Sequence, residues 1–335
     1  MKLLTCLVAA LALLGPTACS ATVPGAGAPA TPTAPGQAPA PTRPTRPAFA
    51  AYLDPSETVP NLGGLAEQVG LKHVVISFVL AKGNACDPAW YGTEPLDSMK
   101  ADVDLFRAAG GSITVATGGA EGTYLENACA TAADLAGAYA KILDVTGTNL
   151  LDVDIEHDVQ IDKVIDALGQ VQRARNTDIS LTLPVDLDGL GPGQLNLVKK
   201  AAATNVALTI NIMDMDFEAS GDWGTAMVRA AKTFLGQLRK VYPKATQAEL
   251  YRMLGITMMI GRNDTAGVIT QPDDAQTVLD FAKANGVGRL GIWSLGRDLG
   301  TCAQQVEAQP NCSGIAQQDY QFTRQLATFT GPTPA

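Results

Sequence analysis

The chain has 335 residues, 24 of them basic and 33 acidic, for a net charge of −9 at pH 7. Without the first 47 residues, Lys2, Arg43 and Arg46 drop out and 21 basic side chains face 33 acidic ones, a balance of −12. That surplus argues against nucleic acid or an anionic membrane surface as a partner and suits an uncharged polar ligand.

Lys2 followed by the apolar run LLTCLVAALALLG reads as a secretory signal, too short and too near the terminus for a membrane span. It ends in PTACS, where a small residue before Cys19 matches a bacterial lipoprotein processing site. Residues 1–19 are therefore expected to be a signal peptide, with Cys19 as the lipidation site. The protein would be secreted and held to the bacterial cell membrane only through that lipid. Pro16 stands where such sites usually carry leucine, and ordinary secretion with cleavage nearby is the alternative. Residues 20–47, SATVPGAGAPATPTAPGQAPAPTRPTRP, have no aromatic residue and no means of burying a core, so they read as an extended tether. The fold is expected over 48–330.

Eight β-rich apolar runs follow: FAAYLD (49–54), HVVISFVL (73–80), SITVAT (112–117), LLDVDIE (150–156), ISLTLPV (179–185), VALTINIM (206–213), LGITMMI (254–260) and RLGIWSL (289–295). Most are continuous in hydrophobicity, as for strands covered on the outside. Helical spacing marks 95–110, 131–147, 159–174, 225–242, 273–286 and 314–329 between and after them. Asp273 and Asp274 suit a helix start and Gly286 its end. Strand-then-helix units in this number predict an α/β fold, a single (β/α)8 TIM barrel. A doubly wound open sheet lacks support, for no G-x-G-x-x-G and no P-loop is present.

Cys86, Cys129, Cys302 and Cys312 remain after the signal, an even number in an oxidising compartment. Three pairings are possible. Cys86–Cys129 and Cys302–Cys312 are favoured, because each pair would lie in loops following candidate strands.

The fourth run alternates acids with apolar residues. Period two puts Asp152, Asp154 and Glu156 on one strand face and Val153 and Ile155 on the other. On an edge strand this row is merely a solvated face. At the C-terminal end of a barrel strand it is a catalytic row whose members push each other's proton affinities apart. Other strand ends add to the mouth: Gly118 and Gly119, which allow a ligand close to the backbone; Asp214 and Asp216 in NIMDMD; Asn263 in GRND; and Trp293, a platform for a sugar ring or a core residue. The chain has two histidines, His73 at a strand start and His157 on the face opposite Glu156. Neither suits a Ser–His–Asp triad, and no zinc spacing occurs, so no metal or cofactor is expected.

SITVATGG and LLDVDIE resemble the paired signatures of glycoside hydrolase family 18, the chitinases and their relatives. NIMDMD resembles the strand-six M-x-Y-D segment of that family and GIWSLGRD its strand-eight tryptophan segment. TMMIGRND, the WSLGRD run and the two outlying cysteine pairs look closest to a bacterial chitinase D-like branch. The resemblance implies a hydrolase of β-1,4-linked N-acetylglucosamine polymers acting by a substrate-assisted, retaining mechanism. Glu156 would be its general acid and base, Asp154 and Asp216 would attend the acetamido group, and Asp152 would be the deeper member of the row. Trp293 would form the floor of the distorted-sugar subsite. Asn149 replaces the first acid of the longer motif, and Met215 stands where many members have tyrosine. The same resemblance allows a non-hydrolytic chitin or glycan lectin on the same barrel, or an endo-β-N-acetylglucosaminidase acting on glycoprotein glycans.

Overall fold

A computed structural model describes residues 45–56 and 59–332; the signal run, Cys19 and the tether up to residue 44 lie outside them. Each of the eight apolar runs forms a strand: β1 (Phe49–Leu53), β2 (His73–Ala81), β3 (Ser112–Gly118), β4 (Leu150–Asp154), β5 (Asp178–Pro184), β6 (Leu208–Met213), β7 (Leu254–Met259) and β8 (Arg289–Trp293). They pair in parallel in that order, and β1 pairs with both β2 (Ala51 opposite Val74) and β8 (Phe49 opposite Leu290). The sheet therefore has no free edge, and the fold is a (β/α)8 barrel.

Helices α1 (Leu62–Gln68), α2 (Lys100–Ala108), α3 (Ala132–Thr146), α4 (Ile161–Arg175), α5 (Pro192–Ala203), α6 (Trp223–Val241), α7 (Pro272–Asn285) and α8 (Gln321–Leu326) follow the strands in turn. Their ends carry ordinary stop and start chemistry. Thr131 and Asp134 cap α3 reciprocally, and Gly147 (φ 65°) ends it in the left-handed region. Asn176 (φ 54°) and Gly286 (φ 68°) end α4 and α7 in the same way.

The strands sort their side chains by face. Leu151, Val153, Leu181, Ile210, Ile212, Ile256 and Ile292 point outward and join one large apolar cluster with the helices. The lumen holds a second, small cluster of Ala50, Tyr52, Val75 and Ala116, and otherwise a polar column that includes Thr114, Asp152, Ser180, Thr182, Asn211 and Thr257. At its base His73 meets the hydroxyls of Ser112 and Thr114 at 2.8 Å each. Burial and the nearby Arg289 push its imidazole well below the usual range.

Several details depart from the sequence reading. Arg46, within the expected tether, reaches into the barrel base: its guanidinium donates to Asp178 at 2.8 Å and to Ser180 at 2.6 Å. The packed unit thus begins at least two residues before 48. The expected helix over 95–110 starts only at Lys100, because the preceding residues turn under Trp90, whose indole N–H donates to Leu96 O at 3.1 Å. The expected helix over 314–329 shrinks to α8. Tyr320 sits at φ 57°, and the backbone N–H groups of Phe322 and Thr323 end on the Asp298 carboxylate at 3.2 and 2.7 Å. Four unpredicted helices, α1, α5, Leu125–Ala128 and Gln247–Met253, are short or carry Gly and Pro, which weaken the periodic signal. The disulfides Cys86–Cys129 and Cys302–Cys312 are both formed, with Cα atoms 4.6 and 6.0 Å apart.

Candidate active site

Strand β4 lies between β3 and β5, and all five of its residues are buried, so the edge-strand reading of its acidic row falls away. Val153 belongs to the outer apolar cluster, which leaves Asp152 and Asp154 facing the lumen.

Asp152 is saturated with donors. Tyr52 donates to Oδ2 at 2.8 Å, Thr182 reaches Oδ1 and Oδ2 at 2.8 and 3.0 Å, and Ser180 donates to Oδ1. Asn211 then ties the layer together, donating to Tyr52, Thr182 and Thr257 at 3.2, 3.1 and 2.9 Å. Asp154, one pleat further up, is also buried, but its Oδ1 has no hydrogen-bond partner. Burial pushes this carboxyl well above the usual range, with further repulsion from Glu156, Asp152 and Glu126.

The strand ends at Asp154, and Glu156 lies just beyond it, half-buried at the rim. Its backbone N–H donates to the Tyr124 hydroxyl at 3.1 Å. Burial raises its proton affinity; His157 pulls the other way, and Asp216 and Asp264 add to the rise. Mutual repulsion along the row, the cause expected from the sequence, is secondary: removal from water is the larger cause for both Asp154 and Glu156. Asp216 breaks the alternation of its segment by adopting φ 60°, which turns it into the cleft beside Met215. The loop after β7 clamps it there. Asn263 accepts its N–H at 3.2 Å, Thr265 N donates to its carboxylate at 3.0 Å, and the Thr265 hydroxyl donates to its carbonyl at 2.7 Å. Burial raises the Asp216 carboxyl as well.

Asp154, Glu156, Met215, Asp216 and Trp293 line one cleft at the C-terminal face of the barrel. Trp293 lies nearly parallel to Phe78, with centroids 5.8 Å apart, and tilts against Tyr52 at 6.0 Å. A cleft with an aromatic floor, buried protonatable carboxyls and thioether walls can stack a sugar ring and hold a proton over it.

Besides Asp152, which lies deeper, four predicted site residues do not line the cleft. Gly118 and Gly119 leave room for other protein groups. A Cβ on Gly118 would fall 1.8 Å from Asp154 O, and one on Gly119 would fall 2.6 Å from the Phe78 ring. Asn263 is spent on the backbone: its amide donates to Met259 O and Gly261 O at 3.0 and 3.1 Å. Asp214 continues the alternation away from Met213 and Met215. It is fully buried, neither oxygen has a partner, and burial alone lifts its pKa well above the ordinary value. Asn149 bonds Arg175 O and Thr177 at 2.9 and 2.7 Å, as a strut below the barrel, and His157 meets Ala120 O at 2.8 Å on the outer side of Glu156.

Tyr52, Phe78, Tyr124, Thr182 and Asp264 were not singled out from the sequence. Tyr52 and Thr182 do carry a signal there, because each is a polar residue inside an apolar strand run at a lumen-facing position. Phe78 and Tyr124 carry none, being an aromatic residue in an apolar run and a residue in a loop.

No family model matches the chain. It is 30% identical over 311 residues to a probable bifunctional chitinase/lysozyme of Escherichia coli (strain K12), covering 84% of this chain and 34% of that protein. It is 30% identical over 275 residues to endochitinase 11 of Metarhizium anisopliae, covering 75% of this chain and 52% of that protein. The chain thus spans about a third and about half of the length of these curated relatives. Among solved structures it is similar to catalytic-site mutants of active domain 2 of the thermostable chitinase from Pyrococcus furiosus, complexed with chito-oligosaccharides. That identity is 33% and the TM-score 0.79, covering 84% of this chain and 94% of the other.

Proposed function

From its membership of the chitinase family, glycoside hydrolase family 18, we propose that this chain cleaves β-1,4-linked N-acetylglucosamine polymers by a substrate-assisted, retaining mechanism. The observation that carries the reading is Glu156. It is a half-buried carboxyl whose proton affinity is raised, at the rim of a cleft floored by Trp293 and walled by Asp154 and Asp216.

In this mechanism the Glu156 carboxyl gives its proton to the glycosidic oxygen as the bond to the anomeric carbon breaks. The oxygen of the substrate's own 2-acetamido group attacks that carbon, giving an oxazolinium intermediate. The Glu156 carboxylate then takes a proton from water, which opens the intermediate with retained configuration. Asp154, whose proton affinity is raised by burial, can offer a hydrogen to the acetamido group in its protonated form, and Asp216 faces the same space. Met215 cannot donate, so these two carboxyls carry the orienting role between them. Within the family, TMMIGRND, WSLGRD and the two disulfides support a place near the chitinase D-like branch. The signal run and Cys19 support export with lipid attachment, which the mass of the mature N-terminal peptide would test.

The test compares wild type with Glu156→Gln on N-acetylglucosamine hexamer, with products read by mass spectrometry. Shorter oligomers from wild type, and at least ~10²-fold slower cleavage by the variant, are expected. Equal turnover by both would refute the assignment of Glu156, and an intact hexamer with wild type would refute the activity.

A further inference from the structure

The ladder between β3 and β4 ends at the pair Gly118–Asp154, and on the other side the Ile155 N–H still donates to Thr182 O of β5 at 3.0 Å, so the chain leaves the sheet at Glu156. Residues 154–158 are nevertheless held at four points by one segment, 119–129. Gly119 N donates to Asp154 O at 3.2 Å, and Glu156 N donates to the Tyr124 hydroxyl at 3.1 Å. The His157 ring meets Ala120 O at 2.8 Å, and the Asn127 amide donates to Asp158 O at 3.2 Å.

That segment is itself fixed at both ends. The Tyr124 hydroxyl donates to Gly119 O at 2.5 Å, which aims its lone pair at the Glu156 N–H and closes the segment on itself. At the far end Cys129 is bridged to Cys86, and its carbonyl accepts from Lys163 at 2.7 Å. Between them Glu126 is fully buried and takes hydrogen bonds from Thr117 and Tyr139 at 2.7 and 2.6 Å. None of these groups except Ala120 lines the cleft.

We infer that segment 119–129 is a jig that sets the reach of Glu156, with the Tyr124 hydroxyl as its positioning residue; this rests on the function proposed above. A loop end freed from the sheet leaves its N–H groups without ladder partners, and a buried N–H needs a fixed acceptor. The phenol supplies that acceptor from a ring that is only 2% exposed. An error of about 1 Å in a catalytic group can cost roughly 10²-fold in rate, so losing one such anchor should be visible in turnover.

Tyr124→Phe removes one oxygen and keeps the ring. On N-acetylglucosamine hexamer its kcat should fall about 10-fold with KM within about twofold, a fraction of the effect of losing the acid itself. On a nitrophenyl glycoside of the disaccharide, whose leaving group needs little protonation, kcat/KM, which reports only the steps up to leaving-group departure, should stay within about twofold. A purely structural role would slow both substrates alike or neither, and either result would overturn the inference. Asn127→Ala should act in the same direction with a smaller effect. Amide exchange, followed by mass spectrometry, tests the jig independently of turnover. In Tyr124→Phe, exchange over 154–158 should accelerate while 178–184 stays as in wild type. Unchanged exchange over 154–158 overturns the inference even if the chain has no chitinase activity, so the two readings can fail separately.

Discussion

Asp152 and Asp154 stand one pleat apart on the same face of the same strand, in opposite surroundings. Asp152 receives hydrogen bonds from Tyr52, Ser180 and Thr182. Asp154 is also buried, yet Oδ1 has no partner and burial raises its proton affinity. The same contrast separates the two ends of the barrel. Asp178 at the base has the Arg46 guanidinium, whereas Glu156 and Asp216 at the mouth have no ion pair among the described residues. Around Asp152 the donors tie the carboxyl into the scaffold, whereas at Asp154, Glu156 and Asp216 burial is the larger influence and favours the protonated form.

Exchanging each carboxyl for an amide separates these roles. Asp154→Asn should lower kcat on N-acetylglucosamine hexamer by about 10²-fold, as for removal of a single preorganised group. It should leave thermal stability unchanged or higher, because it deletes an unpaired buried carboxyl. Asp152→Asn should do the reverse in stability, losing about 2 kcal/mol because an amide NH2 must then face hydroxyls that had been donating. Paired calorimetry and kinetics on the two variants check this. Equal losses of stability would erase the distinction.

The contrast also fixes the sign of a pH effect. Asp154, Glu156 and Asp216 bind protons more tightly folded than unfolded. The stability they contribute is fully present below the unfolded values near 4 and is lost as pH rises through the folded ones. Asp298 at the foot of α8 behaves alike: burial lifts it from 3.8 to about 6, which corresponds to about 3 kcal/mol lost between those values. Melting curves from pH 4 to 8 should show Asp298→Asn flattening the slope below pH 6. Asp154→Asn should flatten it from pH 4 upward. A slope that neither variant alters would contradict the burial argument.

The barrel was legible because each strand is a long apolar run, and the row at 152–156 because period two survives in the sequence. The cleft was less legible, for physical reasons. Asp214 and Asp216 look equivalent in NIMDMD, and only the left-handed backbone at Asp216 brings the second into the cleft while the first stays buried behind it. Asn263 reads as a polar group at a strand end, but its bonds go to the backbone that holds Asp216. Tyr124 acts through a backbone N–H 32 residues away. Sequence periodicity reports which face a residue takes within an element, and it carries no information about partners across loops.

The smallest expected effect concerns the floor of the cleft, where sequence and structure assign different work to Gly119. The sequence suggests that it admits the ligand. In the structure the space beside it holds the Phe78 ring, which lies nearly parallel to Trp293. An offset aromatic pair contributes about 1 kcal/mol beyond its buried area, so Phe78→Ala should raise KM about fivefold with kcat within twofold. Gly119→Ala should reproduce that rise by pushing the ring aside, together with a stability loss from forcing alanine to φ 94°. If both act through the one ring, the double variant should show no higher KM than Phe78→Ala alone. Additive changes in KM would mean that Gly119 meets the sugar after all, because a ring already absent cannot be displaced a second time.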